Sequence, residues 1–238
     1  MEEEREEEHK LTFLKSFKLL LKNKYYVIIC CSYMLPQLYA SVIGMGTYYT
    51  KYIMGNEEIF STISLAINIT MVAALTILPY VIKKMGGMYK LNIFGYIIAA
   101  LGRVGVMVGG YMGDLPLMLA FTAISTIGIA PLQGDLNALI ACCSEYTTLT
   151  TGHRLEGMMY SCSSLGIKLG GALGTAISGW LLAAAGYVEN AAEQTPSAVN
   201  MLNFLYLWMP VILCVAVGFL LVFLRVEKAN EKLLTKKA

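Results

Sequence analysis

Residues 157–187 read GMMYSCSSLGIKLGGALGTAISGWLLAAAGY, thirty-one positions with a single charge, Lys168. A helix rises about 1.5 Å per residue, and about 20 apolar residues cross the hydrocarbon of a bilayer. The stretch is long enough to span a membrane. Lys168 lies twelve residues beyond Glu156, about 18 Å along such a helix and near mid-plane. An ammonium there costs about 2.5–3.5 kcal/mol even on a lenient insertion scale. Gly166, Gly170 and Gly174 recur at every fourth position, a register that lets another helix approach closely. The reading is a tightly packed helix whose lysine faces the bundle or a wet cavity and contacts substrate or coupling ion. The structural alternative is a lysine tied to a carboxylate elsewhere.

Five more apolar runs accompany this one, at Tyr25–Tyr52, Ile59–Ile82, Leu91–Tyr111, Leu115–Ala141 and Ala198–Leu224. Turn signals separate them: Gly55-Asn56-Glu57-Glu58, Gly86-Gly87, Gly113-Asp114 with Pro116 after it, a polar loop at 147–154 and another at 188–196. Barrel strands of about 10 alternating residues do not fit runs two to three times longer. The expected fold is an all-α integral membrane protein of six transmembrane helices. Three segments follow: an acidic start with an amphipathic surface helix at 1–24, the bundle at 25–225, and a basic cytoplasmic tail at 226–238. Only 14% of residues are charged and 57% are hydrophobic, against about 25% charged in a soluble domain. This excludes an ordinary cytosolic enzyme and a nucleic-acid binder. The six cysteines sit in or beside apolar runs without a CxxC pair and read as small apolar fillers.

Lysine and arginine set the orientation. Fifteen of them fall before the first span, between the second and third, between the fourth and fifth, and after the sixth; only Lys51 lies on the opposite side. Both termini are therefore expected in the cytoplasm of a multi-pass protein of the cell membrane. Polar groups inside the spans are candidate functional residues. Tyr160, Ser163 and Ser164 precede Lys168 as a stripe of hydroxyls, and Gln133 and Asp135 lie together near the inner end of the fourth span as lining for a polar cavity. Arg103 reads as a structural cation or a gate, able to snorkel outward, and Ser64 and Asn68 as weaker candidates. Trp180, Tyr48, Tyr49 and Tyr52 read as interfacial anchors. The two histidines, His9 and His153, lie outside the spans. With no HExxH, no intramembrane histidine to activate a serine and no P-loop, the sequence offers no zinc protease, serine protease or ATP-driven motor. No metal or other cofactor is called for.

An ordered series runs through this region: Glu145-Tyr146, Thr151-Gly152-His153-Arg154-Leu155-Glu156-Gly157, Tyr160-Ser161, Ile167-Lys168-Leu169-Gly170 and Gly186-Tyr187. It resembles the glycoside–pentoside–hexuronide:cation symporters, a bacterial, melibiose-carrier-like family of the major facilitator superfamily. Leu21-Lys22-Asn23 and Leu78-Pro79 fit the same pattern. The resemblance covers nearly the whole chain but only the C-terminal half of a family member, helices seven to twelve. It implies alternating-access symport of a sugar or glycoside with a co-transported Na⁺ or H⁺. Lys168 then matches the family's helix-eleven lysine at the sugar and cation sites, Ser163 and Ser164 fall at polar contacts, and Arg154, Glu156 and Glu145 take positions in an inner gate. Cys142 and Cys143 stand where relatives usually carry an aspartate. The family's cation-binding aspartates lie in early helices, whereas Asp114 and Asp135 are the only aspartates here. The expectation is a fragment, a truncated product or one half of a split carrier, partnered by a missing N-terminal six-helix half. The alternatives are an inactive or structural six-helix protein, and a homodimeric half-size carrier.

Overall fold

The computed structural model describes residues 13–237, side chains from residue 18 with Cys162 and the last few excepted. The acidic start lies outside the described residues. Among the described residues ten α-helices follow one another: α1 Phe13–Lys22, α2 Lys24–Gly44, α3 Gly46–Tyr52, α4 Glu58–Met85, α5 Met88–Met112, α6 Leu115–Thr151, α7 Glu156–Ala184, α8 Pro196–Asn203, α9 Met209–Val222 and α10 Val226–Lys237. A π-helical turn at Phe204–Trp208 joins α8 to α9. Among the described residues six helical stretches are long and apolar enough to cross a membrane: α2 with α3, α4, α5, α6, α7, and α8 through α9 into α10. No strand is present among the described residues.

Local chemistry sets the boundaries. Asn23 accepts the amides of Tyr25 and Tyr26 and so starts α2, satisfying donors that a helix N-terminus leaves open. The same side chain donates to the Cys143 carbonyl at 3.2 Å and to Thr147 Oγ1 at 2.8 Å, so one residue separates α1 from α2 and ties the junction to α6. Asp114 caps α6 by accepting the Leu117 amide at 3.0 Å. Gly86 and Gly87 turn the chain between α4 and α5 with φ of 71° and 139°, values that side chains resist.

Two boundaries differ from the sequence reading. α6 runs ten residues past Ala141, and the expected loop at 147–154 shrinks to the few residues after Thr151. This polar stretch is helical, and threonines 147, 148, 150 and 151 satisfy their hydroxyls within it by donating to carbonyls three or four residues back. The C-terminal segment is helical and docked. α10 packs beneath α6, with Val226 and Asn230 buried, and Glu227 accepts the amides of Met88 and Tyr89 at 3.2 and 3.0 Å. That carboxylate caps α5 where the helix dipole favours negative charge.

The main core joins α1, α2, α5, α6, α7, α9 and α10 through Leu20, Tyr26, Ile29, Tyr96, Leu139, Met159, Val217 and Val226. A second cluster stacks Tyr49 on Tyr206, ring centroids 4.5 Å apart, beside Val106 and Met118. Tyr49 is thus fully buried, not an interfacial anchor, because α3 turns it inward; Trp180 and Tyr48 are exposed. Close backbone contact fixes two helix pairs. A Cβ on Gly95 or Gly128 would overlap the other's carbonyl oxygen, locking α5 to α6. A Cβ on Gly170 would overlap the Met34 carbonyl, and one on Gly174 would lie 2.9 Å from that of Leu38, pressing α7 on α2. By contrast α4 buries only Ile63 and Leu78.

Candidate functional site

The glycines that press α7 against α2 decide where Lys168 points. Residues two apart on a helix differ by about 200°, so Lys168 stands nearly opposite Gly170. It is exposed on the outer face of the six-helix unit, not turned into its interior. Ser164, also exposed, and half-buried Tyr160 precede it at four-residue steps on the same face. The Tyr160 hydroxyl donates to the Asn137 carbonyl on α6 at 3.1 Å, and Asn137 Oδ1 accepts the Tyr33 hydroxyl of α2 at 3.1 Å. Ser164 Oγ donates to the Tyr160 carbonyl at 2.9 Å, leaving its lone pairs free to accept. Gln133 lies one turn from Asn137 and is exposed as well. α6 and α7 run antiparallel, so stepping back from the Asn137–Tyr160 contact brings Gln133 level with Ser164. Gln133, Asn137, Tyr160, Ser164 and Lys168 therefore form one polar surface across two helices, and no ion pair is made to Lys168 among the described residues.

Two predicted residues turn away from this surface. Ser163 is buried and donates to the Met159 carbonyl at 2.8 Å. Asp135 is 3% exposed and faces α5, where Asn92 Nδ2 donates to its Oδ2 at 2.7 Å. Gln133 and Asp135 do not line one cavity as adjacent positions suggested, because two residues along a helix lie on nearly opposite sides. Arg103 does not snorkel: it is 2% exposed, its guanidinium carbon sits 5.1 Å from the centre of the Tyr39 ring, and its Nε and Nη1 lack hydrogen-bond partners.

Where α6 passes into α7, Glu145, Arg154 and Glu156 border one cavity of about 310 Å³ together with Ala141, Ser144 and Thr148. Arg154 donates from Nη2 at 2.7 Å and Nε at 3.2 Å to one oxygen of Glu156. Glu145 instead accepts from Asn230 Nδ2 of α10 at 3.1 Å, and the same amide nitrogen donates to the Cys142 carbonyl at 2.9 Å. Asn92, Asn137 and Asn230 are the functional-looking residues that sequence reasoning missed. The first two are amides within apolar runs, a signal of the kind that singled out Gln133. Asn230 sits in a polar stretch and gave none.

Residues 1–228 match the family described as MFS/sugar transport protein. The chain belongs to this family. Among curated relatives, the isoprimeverose transporter of Lactiplantibacillus pentosus is 28% identical over 198 residues, covering 81% of this chain and 41% of that protein. The glucuronide carrier protein homolog of Escherichia coli K12 is 28% identical, covering 77% and 40%. The raffinose carrier protein of Pediococcus pentosaceus is 26% identical, covering 92% and 34%. These relatives are carriers, and the glycoside:cation symporter resemblance holds across nearly the whole chain. The chain spans less than half the length of these three relatives. With its six apolar helices it is a multi-pass membrane protein.

Proposed function

We propose that this chain is the sugar-facing half of a glycoside:cation symporter, working by alternating access against a second six-helix unit. The observation that carries the reading is the polar surface of Gln133, Asn137, Tyr160, Ser164 and Lys168 on the outside of the packed unit, at membrane depth. Lipid gives such groups nothing to bond with. A second unit laid against this face would turn it into a cavity wall. The cavity would offer an ammonium donor, an amide that both donates and accepts, and hydroxyls that take sugar hydroxyls in place of water. The substrate is a sugar or glycoside and the driving ion Na⁺ or H⁺, in keeping with relatives named for isoprimeverose, glucuronides and raffinose.

The inner cluster supplies the gate. Arg154 is largely exposed and Glu156 its partner within the same turn, so exchange of that carboxylate for one on the opposing unit would close the cytoplasmic mouth at little cost. The charge bias supports a bundle in a bacterial cell membrane with both termini on the cytoplasmic side. The test is gradient-driven uptake of labelled glycosides by vesicles holding the transporter completed around this chain. Lys168→Ala is expected to lower accumulation about ten-fold or more, equivalent to about 1.4 kcal/mol of lost contact. Full accumulation by that variant removes Lys168 from the mechanism.

A further inference from the structure

Asp135 is the one aspartate within the described membrane spans, and the fold gives it half a partner. α5 and α6 meet backbone to backbone at Gly95 and Gly128, a contact tight enough to exclude water. One turn from Gly95 and two turns from Gly128, this seam closes over Asn92 and Asp135, exposed by 2% and 3%. Asn92 Nδ2 donates to Asp135 Oδ2 at 2.7 Å. The other oxygen of each planar group, Asp135 Oδ1 and Asn92 Oδ1, is buried with no hydrogen-bond donor. An ionised carboxylate only accepts, and so does an amide oxygen. Both orphans therefore lack the same thing.

We propose that the Asn92–Asp135 pair is a proton-binding site. A hydronium ion gives up a proton, its O–H bond breaking to leave water, and the proton bonds to Asp135 Oδ1, so the buried negative charge is cancelled. The group then becomes a donor, and the acceptor its partner leaves open is Asn92 Oδ1. One proton satisfies both orphaned oxygens, so that amide and acid bond reciprocally. The neighbours support a neutral acid. The ionisable groups in electrostatic range are Tyr33 on α2, Tyr96 on α5, Cys142 on α6 and Glu227 on α10. None is a cation, and Glu227 brings a second carboxyl group. α4 places Leu75 and Leu78 against this stretch of α6, and α7 places Tyr160. A buried carboxylate without a counter-ion takes up a proton sooner than it stays charged. A metal cation would need a shell of several oxygens, and only these two stand open. The site is separate from the Lys168 surface and does not rest on the transport reading.

The chain's composition gives a clean test, since Asp114 and Asp135 are its only aspartates. With the carboxyl carbon of aspartate labelled by ¹³C, the full chain in lipid shows two side-chain signals by infrared or magnetic resonance. Asp114, exposed at a helix cap, provides the reference signal. The expected result is a second signal that remains a protonated acid at neutral pH. It vanishes in Asp135→Asn, which keeps the pair's shape, and its carbonyl stretch rises in frequency in Asn92→Leu, which removes the amide donor. Two ionised signals at neutral pH would overturn the proposal, even if neither variant folds. Loss of the acid signal on adding Na⁺ at constant pH would also overturn it, in favour of a metal cation.

Discussion

Arg103 and Lys168 are both cations within membrane spans, and the fold handles them differently. Lys168 stands outside the packed unit with its donors open. Arg103 is enclosed under the Tyr39 ring with two nitrogens unbonded. A cation over an aromatic face gains up to about 2 kcal/mol when desolvated, which does not offset the cost of taking an ion from water. Arg103 is thus a burden on stability. Arg103→Met is expected to leave resistance to unfolding in mixed micelles unchanged or raised by about 1–4 kcal/mol, while Arg103→Ala lowers it by about 2–5 kcal/mol through the cavity it opens. A large loss in the methionine variant would show that the charge has a bonding partner. Both residues were legible in the sequence as intramembrane charges, but their fates were not. Periodicity gives angles about one helix axis; which of those angles meets a neighbour depends on the other five spans. The same limit misplaced Asp135, which shares a tripeptide with Gln133 but points the opposite way.

At the scale of the element, α7 has two faces with different tolerances. Gly170 lies against the Met34 backbone, while Gly171 has nothing within 4 Å of where a Cβ would stand. Gly170→Ala must push α2 away and is expected to destabilise by about 1–3 kcal/mol. Gly171→Ala meets open space and gains about 0.5–1 kcal/mol from reduced backbone entropy. Comparing the two variants in one unfolding assay checks the helix rotation on which the Lys168 surface depends; equal effects would mean that α7 is turned otherwise. The glycine steps themselves were visible in the sequence, since a four-residue spacing of small residues has few other uses in a membrane helix. The helical ends were harder to read. Thr147–Thr151 looked like a loop by polarity, yet its hydroxyls bond back to the helix's own carbonyls. α10 looked like a tail because its apolar residues are few, yet Val226, Glu227 and Asn230 suffice to dock it.

For the molecule as a whole, the question is what covers the polar surface. Two copies face to face would bring two Lys168 ammoniums together across a dry interface, and like charges at about 4 Å repel by about 4 kcal/mol at an effective dielectric of 20. Ser164→Cys, placed in a chain whose own cysteines are replaced, is therefore expected to form no symmetrical disulfide dimer in membranes when this chain is expressed alone. A strong dimer band would make the half-size homodimer the working form. Six apolar runs carried the architecture, because the bilayer dictates span length and leaves few alternatives. The arrangement of the spans was not written so plainly: near-uniform apolarity hides which side of each helix is packed and which is bare, as in α4.

The π-helical turn at Phe204–Trp208 bears on inheritance. It holds one residue more than the α-helical path needs, just ahead of Pro210, whose ring nitrogen has no hydrogen to give the preceding turn. Deleting a single codon there would not merely shorten the last span. It would swing everything downstream by about 100°, carrying Cys214, Val217 and Leu221 out of the core and unhooking Glu227 from the start of α5. The reading frame of this protein thus contains a place where losing three nucleotides does more harm than most substitutions, and descendants are expected to keep the surplus residue even as its identity drifts.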